Sequence, residues 1–140
     1  MKYYLAYGSN LDIKHMTSMC PQARFLGIIK QEGYKLAFRG QKFRSYLTVL
    51  KDPKHHIFLG IYQINDDCEI SLDIYEDYPN LYYKENIEFE INGEISQGLI
   101  YIMNENYEFN KPSSDYFEMV IQAYNLHNID ISILIEALNN

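Results

Sequence analysis

Hydrophobic and polar residues alternate along the first half of the chain in a way that predicts four strands. Residues 3–7 form a short apolar run typical of a buried strand. Residues 34–38 alternate between apolar and more polar side chains, as a half-buried strand does. Residues 46–50 and 57–64 predict two more deeply buried strands, and we expect a turn at Pro53 to join them.

A β-hairpin is the clearest local prediction. Ile87, Phe89 and Ile91 alternate with glutamates and are followed by Asn92-Gly93. This dipeptide favours the two-residue turn of a hairpin, so residues 94–103 are the return strand. The chain therefore has about six strands.

Helical spacing predicts two helices between these strands. Residues 11–20 place apolar side chains on one face, and Pro21 ends the helix. Residues 66–76 begin with Asp66 and Glu69, which resemble a capping box, and Ile70 and Ile74 form the apolar edge.

Two further helices are predicted near the C-terminus. One begins at residues 112–115 and carries Phe117, Val120, Ile121 and Tyr124 at helical spacing. Residues 130–138 fit either a strand or a helix, but Asp130 as a cap and Glu136-Ala137-Leu138 favour a helix. The elements together predict an α+β fold with a largely antiparallel or mixed sheet, in a single domain of residues 1–140.

Composition and charge exclude several classes of protein. The chain has 140 residues, 47% of them hydrophobic and 22% charged, which is typical of one soluble domain. No apolar run is long enough to span a membrane or to act as a secretory signal, so we expect a cytoplasmic protein without a membrane partner. The net charge of −7 disfavours binding to nucleic acid.

Cysteine and histidine spacing predicts neither a disulfide framework nor a metal site. Cys20 and Cys68 match no disulfide or zinc pattern, so we expect two buried thiols. The four histidines lack ligand spacing as well. We therefore expect no bound metal.

The first candidate for chemistry is the segment Tyr7-Gly8-Ser9-Asn10-Leu11. It joins a strand to a helix through a tight glycine turn. Such a turn leaves backbone N–H groups free to bind a carboxylate or an oxyanion. The alternative is that Ser9 or Asn10 only caps the helix. The spacing matches no nucleotide-binding fingerprint.

The second candidate is Glu76, the last member of an acidic cluster. The other members are Glu69, Asp73 and Asp77, and the simplest interpretation of the cluster is a solvated helix face. Glu76 differs because tyrosines flank it. A carboxylate among aromatic rings loses hydration, and its pKa rises towards the range that suits a general base. The charge of Asp73, one turn earlier, is expected to raise that pKa further.

The two candidates together resemble the gamma-glutamylcyclotransferase family. The Tyr-Gly-Ser-Asn-Leu turn is followed about 65 residues later by Leu72-Asp73-Ile74-Tyr75-Glu76, and Gly60 matches the glycine of a central family strand. The resemblance implies a small mixed β-barrel with flanking short helices. It also implies that Glu76 is the catalytic acid and base. The implied substrate-binding residues are Tyr7, Gly8, Ser9, Asn10, Leu11, Tyr83, Tyr101 and Tyr116.

The resemblance further implies an activity without cofactor or metal. The α-amine of a γ-glutamyl amide attacks its own γ-carbonyl and forms 5-oxoproline as the amine leaves. The partner would be a small γ-glutamyl compound, and the chain would be a monomer or homodimer. An enzyme of specialised metabolism, a non-catalytic binding module on the same fold and a scaffold without ligand are the alternatives.

The chain departs from the family pattern at three places. Arg44-Ser45-Tyr46-Leu47 stands where the family has small residues, which we expect to reshape the leaving-group side of the pocket. Ala123 and Asn128 replace two late glycines. Asparagine tolerates the left-handed conformation, so the turn at Asn128 is expected to persist.

Overall fold

The protein is built on one five-stranded mixed sheet. The computed structural model describes residues 1–140. The strands are β1 (Lys2–Ala6), β2 (Arg24–Gln41), β3 (Arg44–Ile64), β4 (Tyr82–Ile91) and β5 (Glu94–Met103). Their order across the sheet is β2-β3-β1-β5-β4, in which only β1 and β5 run parallel. The α+β class with a mixed sheet is thereby confirmed.

Four short helices flank the sheet. They are α1 (Ile13–Met19), α2 (Asp66–Tyr75), α3 (Ser114–Leu126) and α4 (Ser132–Ala137), and a 3-10 turn at Ser9–Leu11 precedes α1. The ambiguous segment near the C-terminus is thus helical, as its cap and composition favoured. None of the helices is both long and apolar enough to cross a membrane.

The sheet curls like a barrel but is not closed by a backbone ladder. Strands β2 and β4 are its two edges. The side chain of Gln31 on β2 donates a hydrogen bond to the carbonyl oxygen of Glu88 on β4 (3.1 Å). The edge strands β2 and β4 are therefore joined by a side-chain hydrogen bond. In a closed barrel they would be paired through their backbones.

The expected turn at Pro53 is wrong, because β3 continues through it. Lys51 pairs with Tyr34, and pairing resumes with His56 opposite Glu32. Residues 52–55 therefore bulge out opposite Gly33, whose φ is +92°. Proline has no N–H to contribute to a ladder and is tolerated at such a bulge. The polar sequence looked like a turn because a bulge and a turn use the same residue types.

The hairpin at Asn92-Gly93 is confirmed. Ile91 pairs with Glu94 across it, and both turn residues have positive φ, +52° for Asn92 and +80° for Gly93. Asn128 also adopts a left-handed φ of +56°, so this turn persists without glycine.

Two details of α2 differ from expectation. Asn65, and not Asp66, caps the helix, because its side chain accepts a hydrogen bond from the Cys68 N–H (2.9 Å). The predicted apolar edge is exposed: Ile70 and Ile74 are 58% and 77% accessible. Cys68 and Leu72 face the core instead. Both pairs have the same i, i+4 spacing, so periodicity alone does not distinguish the two faces.

The expectation of two free thiols is wrong, because Cys20 and Cys68 form a disulfide. Their Cα atoms are 5.4 Å apart although 48 residues separate them in sequence. Both are buried in the core. The bond joins the end of α1 to the first turn of α2. Two cysteines without a recognisable spacing carry no sequence signal for such a pairing.

Replacing Gly98 by alanine is expected to destabilise the fold by about 1 kcal/mol or more. A Cβ there would lie 2.8 Å from Cγ and Cδ1 of Leu5 and 3.0 Å from Phe89, and both side chains are buried. Urea unfolding would measure the loss. Gln97→Ala, at the neighbouring exposed position, is the control. Equal stability of the two variants would show that the core around Leu5 rearranges to accommodate the added methyl group.

Candidate active site

The two sequence candidates lie on one cavity of about 350 Å³. The cavity lies between the turn that follows β1, the end of α2, the start of β3 and the first turns of α3. The predicted site residues that line it are Tyr7, Gly8, Ser9, Asn10, Glu76, Tyr101 and Tyr116.

The turn after β1 leaves its first three amides without a hydrogen-bond partner in the protein. The hydrogen bonds within the turn are donated by Leu11 to the Gly8 carbonyl (3.0 Å) and by Asp12 to the Ser9 carbonyl (3.1 Å). Helix α1 is capped by Asp12, whose carboxylate accepts from the amides of Lys14 and His15. Neither Ser9 nor Asn10 caps a helix, so the capping alternative is wrong. The amides of Gly8, Ser9 and Asn10 have no partner within the turn.

Tyrosine hydroxyls hold this turn in place. The Ser9 hydroxyl is hydrogen-bonded to Tyr75 OH (2.9 Å), which also contacts His15 Nε2 (3.1 Å). Three more tyrosines bond to the turn and its flanks: Tyr4 accepts from the Asn10 side chain, Tyr62 donates to the Asn10 carbonyl and Tyr124 donates to the Tyr7 carbonyl. Because Tyr4, Tyr62 and Tyr124 are buried, these hydrogen bonds fix the turn from within the core.

Glu76 is a half-buried carboxylate without a protein partner. It follows the last residue of α2, and its N–H donates to the Leu72 carbonyl (2.9 Å). Its side chain forms no hydrogen bond or ion pair with the protein. Burial raises its pKa from 4.5 to about 7. A carboxyl of that pKa exchanges protons readily near neutral pH.

The predicted contribution of Asp73 to this pKa is wrong. Asp73 accepts hydrogen bonds from Tyr101 OH (2.6 Å) and from Lys84 Nζ (3.1 Å). The lysine compensates its charge, and burial alone raises the pKa of Glu76. Asp73 serves instead to orient Tyr101, whose ring lines the cavity.

A ring of tyrosines surrounds Glu76. Burial raises the pKa of each of these tyrosines, and the charge of Glu76 raises it further; they are Tyr4, Tyr7, Tyr75, Tyr82 and Tyr116. All five therefore remain protonated at neutral pH. Tyr116 is placed by the start of α3, where the Ser113 side chain accepts from its N–H (3.2 Å).

Two of the predicted binding residues lie outside the cavity. Tyr83 faces the opposite side of β4 from Tyr82, because successive strand residues alternate, and Tyr82 is the one that lines the cavity. Leu11 is fully buried in the core, where it packs against Gly60. The Tyr82-Tyr83 pair gives no sequence signal for which of the two faces inward.

Sequence reasoning also missed much of the cavity wall. The residues not predicted to bind are Tyr4, Leu5, Tyr46, Leu47, Tyr75, Leu81, Tyr82 and Met119. All eight are apolar or aromatic side chains, which the sequence pattern does not distinguish from core residues. Tyr75 and Tyr82 carried a signal as tyrosines that flank Glu76, and Tyr46 and Leu47 belong to the segment that departs from the family pattern.

Comparison with known proteins identifies the family. The family model for gamma-glutamyl cyclotransferase, AIG2-like proteins matches residues 4–119. The chain belongs to this family. A search of curated proteins finds no match.

Solved structures share the fold. One named gamma-glutamyl cyclotransferase has 21% identity and a TM-score of 0.83, over 97% of this chain and 85% of that chain. An uncharacterized human protein, loc79017, has 21% identity and a TM-score of 0.82 over the same shares. YkqA from Bacillus subtilis has 19% identity and a TM-score of 0.82, over 99% of this chain but 54% of its own. At these identities the likeness is one of fold.

Proposed function

We propose that the protein is a γ-glutamyl cyclotransferase that converts γ-glutamyl amides to 5-oxoproline and a free amine. One observation carries the proposal. An unpartnered carboxylate with a pKa of about 7 lines the same cavity as the free amides of a rigid turn. Family membership supports the same reaction class.

Glu76 would act as the base and then as the acid. A free α-amine has a pKa near 8, so most of it is protonated and cannot attack at neutral pH. Glu76 accepts a proton from the ammonium, and the amine nitrogen then bonds to the γ-carbonyl carbon. The carboxylic acid returns the proton to the amide nitrogen as its bond to carbon breaks. A second proton follows the same route from the ring nitrogen to the departing amine.

The turn would supply binding and electrostatic stabilisation. Its amides at Gly8, Ser9 and Asn10 can bind the α-carboxylate or the oxyanion of the tetrahedral intermediate. Holding the glutamyl chain folded brings the amine close to the carbonyl, which removes much of the entropic barrier to ring closure. Tyr7, Tyr101 and Tyr116 would offer ring faces to the glutamyl chain. Of the three hydroxyls, that of Tyr116 keeps its proton free to donate, because Tyr7 donates to the Tyr101 carbonyl and Tyr101 donates to Asp73.

A direct test is to incubate the purified protein with a panel of γ-glutamyl compounds and detect 5-oxoproline by mass spectrometry. Product formation that stops on heat denaturation supports the proposal. Binding of the same compounds without product would favour a non-catalytic binding module, and this outcome would leave the raised pKa of Glu76 without a role.

Replacing Tyr75 by phenylalanine is expected to lower kcat/KM about 3-fold to 10-fold. The change removes only the hydroxyl that links Ser9 to His15, and one hydrogen bond is worth about 1 kcal/mol. Steady-state kinetics would measure the loss. Tyr78→Phe is the matched control, since that hydroxyl forms no hydrogen bond in the protein. Equal kinetics of the two variants would mean that Tyr75 does not position the turn.

A further inference from the structure

We infer that the leaving amine of the substrate carries an uncharged, apolar body, and that Tyr46, Leu81 and Met119 form the surface that recognises it. We call these three residues the leaving-group wall. The inference rests on the proposed function and specifies its substrate class. In the proposed function the turn and Glu76 hold the γ-glutamyl half of the substrate. The inference concerns the residues that line the rest of the cavity.

The leaving-group wall adjoins the groups that would hold the glutamyl half, on the side of Tyr116. The Tyr46 ring meets the Tyr116 ring edge to face, with centroids 5.0 Å apart and planes at 88°. Met119 lies one turn after Tyr116 on α3 and is 43% exposed, so it borders the mouth of the cavity. A substrate with its glutamyl end at the turn would therefore direct its amine substituent along this wall.

Two other cavity tyrosines hold the Tyr46 part of the leaving-group wall in place. The Leu47 N–H donates to Tyr116 OH (3.2 Å), and Tyr82 OH donates to the Leu47 carbonyl (2.7 Å). Both backbone groups of Leu47 are thus bonded to side chains, which fixes the adjacent Tyr46. A fixed aromatic ring therefore forms this part of the cavity wall.

Charge in the cavity argues against an ionic leaving group. Glu76 is the only Asp, Glu, Lys, Arg or His residue that lines it. The nearby Lys84 is engaged by Glu69 (2.8 Å) and Asp73 (3.1 Å) and lies over the Tyr78 ring. A charged substituent on the wall would lose water without gaining a partner. An apolar one would gain from burial against tyrosine, leucine and methionine side chains.

Three substrates with the same glutamyl half test the inference. They are the γ-glutamyl amides of phenethylamine, of ethylamine and of 1,5-diaminopentane, whose free end is an ammonium group. We expect kcat/KM for 5-oxoproline formation to be at least 10-fold higher for the phenethylamide than for either of the others. Equal values, or a preference for the diaminopentane amide, would overturn the inference and leave the proposed function in place.

Two variants test whether the wall itself causes the preference. In the unmodified protein, kcat/KM for the phenethylamide is expected to be at least 10 times that for the ethylamide. Tyr46→Ala and Met119→Gln are each expected to reduce this ratio to about 3 or less. Met119 is on an exposed helix face, so its variant remains informative if Tyr46→Ala does not fold. Leu126→Gln, at an exposed position of the same helix outside the cavity, is the control and should leave the ratio unchanged. An unaltered ratio in both wall variants would contradict the assignment.

Calorimetric binding of the three amides to Glu76→Gln separates the two possible failures. Absence of 5-oxoproline from every amide would refute the proposed function. If the phenethylamide then still bound at least 10-fold more tightly than the ethylamide, the wall would be an apolar recognition surface without turnover. If the phenethylamide and the ethylamide bound equally, both the proposed function and the assignment of the leaving-group wall would be wrong.

Discussion

Replacing Glu76 by glutamine is expected to lower the rate of 5-oxoproline formation by about 100-fold or more. Glutamine has nearly the same shape and fits the tyrosine-lined cavity, but it cannot accept a proton from the α-ammonium group. General acid–base catalysis contributes typically about 10²–10⁴-fold, and 100-fold corresponds to about 2.7 kcal/mol in the barrier. Steady-state kinetics with the best amide of the substrate panel would measure the loss.

The control for this experiment is a glutamate far from the cavity. Glu90 lies exposed on β4, and Glu90→Gln makes the same chemical change there. It should retain the kinetics of the unmodified protein. Near-normal turnover in Glu76→Gln would mean that another group moves the proton. Asp73 would be a poor substitute, because Lys84 and Tyr101 already occupy its carboxylate.

The pH dependence of the same reaction follows from the pKa of Glu76. Only the ionised carboxylate accepts a proton, and its pKa of about 7 lies close to that of a free α-amine. The rate should therefore rise as the pH increases from 6 to 8. In Glu76→Gln the carboxylate no longer contributes, so the residual activity should rise only with the fraction of free α-amine, and its midpoint should move from about pH 7 to about pH 8.

The parts of the fold with strictly local causes were predictable from the sequence. Asn92-Gly93 specifies its hairpin through the positive φ that both residues adopt, and Asn128 keeps its turn for the same reason. The turn at Gly8 and the glutamate at position 76 were also found. Each is a weak signal alone, and their order and spacing resemble a known family.

The rest depends on tertiary contacts that no local pattern encodes. Which of Tyr82 and Tyr83 faces the cavity depends on the register of β4 against β5, and either choice fits the alternation. The inner face of α2 is Cys68 and Leu72 because the disulfide to Cys20 and the sheet lie on that side, whereas the more hydrophobic isoleucines face solvent. The tyrosines around Glu76 come from β1, α2, β4 and α3, so only the folded chain shows that they meet.

Glu76→Gln is also expected to stabilise the fold at high pH relative to the unmodified protein. The folded-state pKa of about 7 lies above the ordinary value of 4.5, so the folded protein binds this proton more tightly than the unfolded chain. The contribution of Glu76 to folding stability is therefore fully present below pH 4.5 and is lost as the pH rises between about 4.5 and 7. One pKa unit corresponds to about 1.4 kcal/mol, so the shift from 4.5 to about 7 corresponds to about 3.4 kcal/mol in full, of which about 2–3 kcal/mol falls between pH 5 and pH 8.

Urea unfolding of both proteins at pH 5 and pH 8 would measure this cost. Glutamine does not ionise, so the stability of Glu76→Gln relative to the unmodified protein should increase by about 2–3 kcal/mol from pH 5 to pH 8. Glu90→Gln should show no such increase, because that side chain is exposed. A difference that stayed constant with pH would mean that water reaches the Glu76 carboxylate freely in the folded state. The burial that is proposed to raise the pKa of Glu76 would then be absent, even if Glu76→Gln had lost its activity.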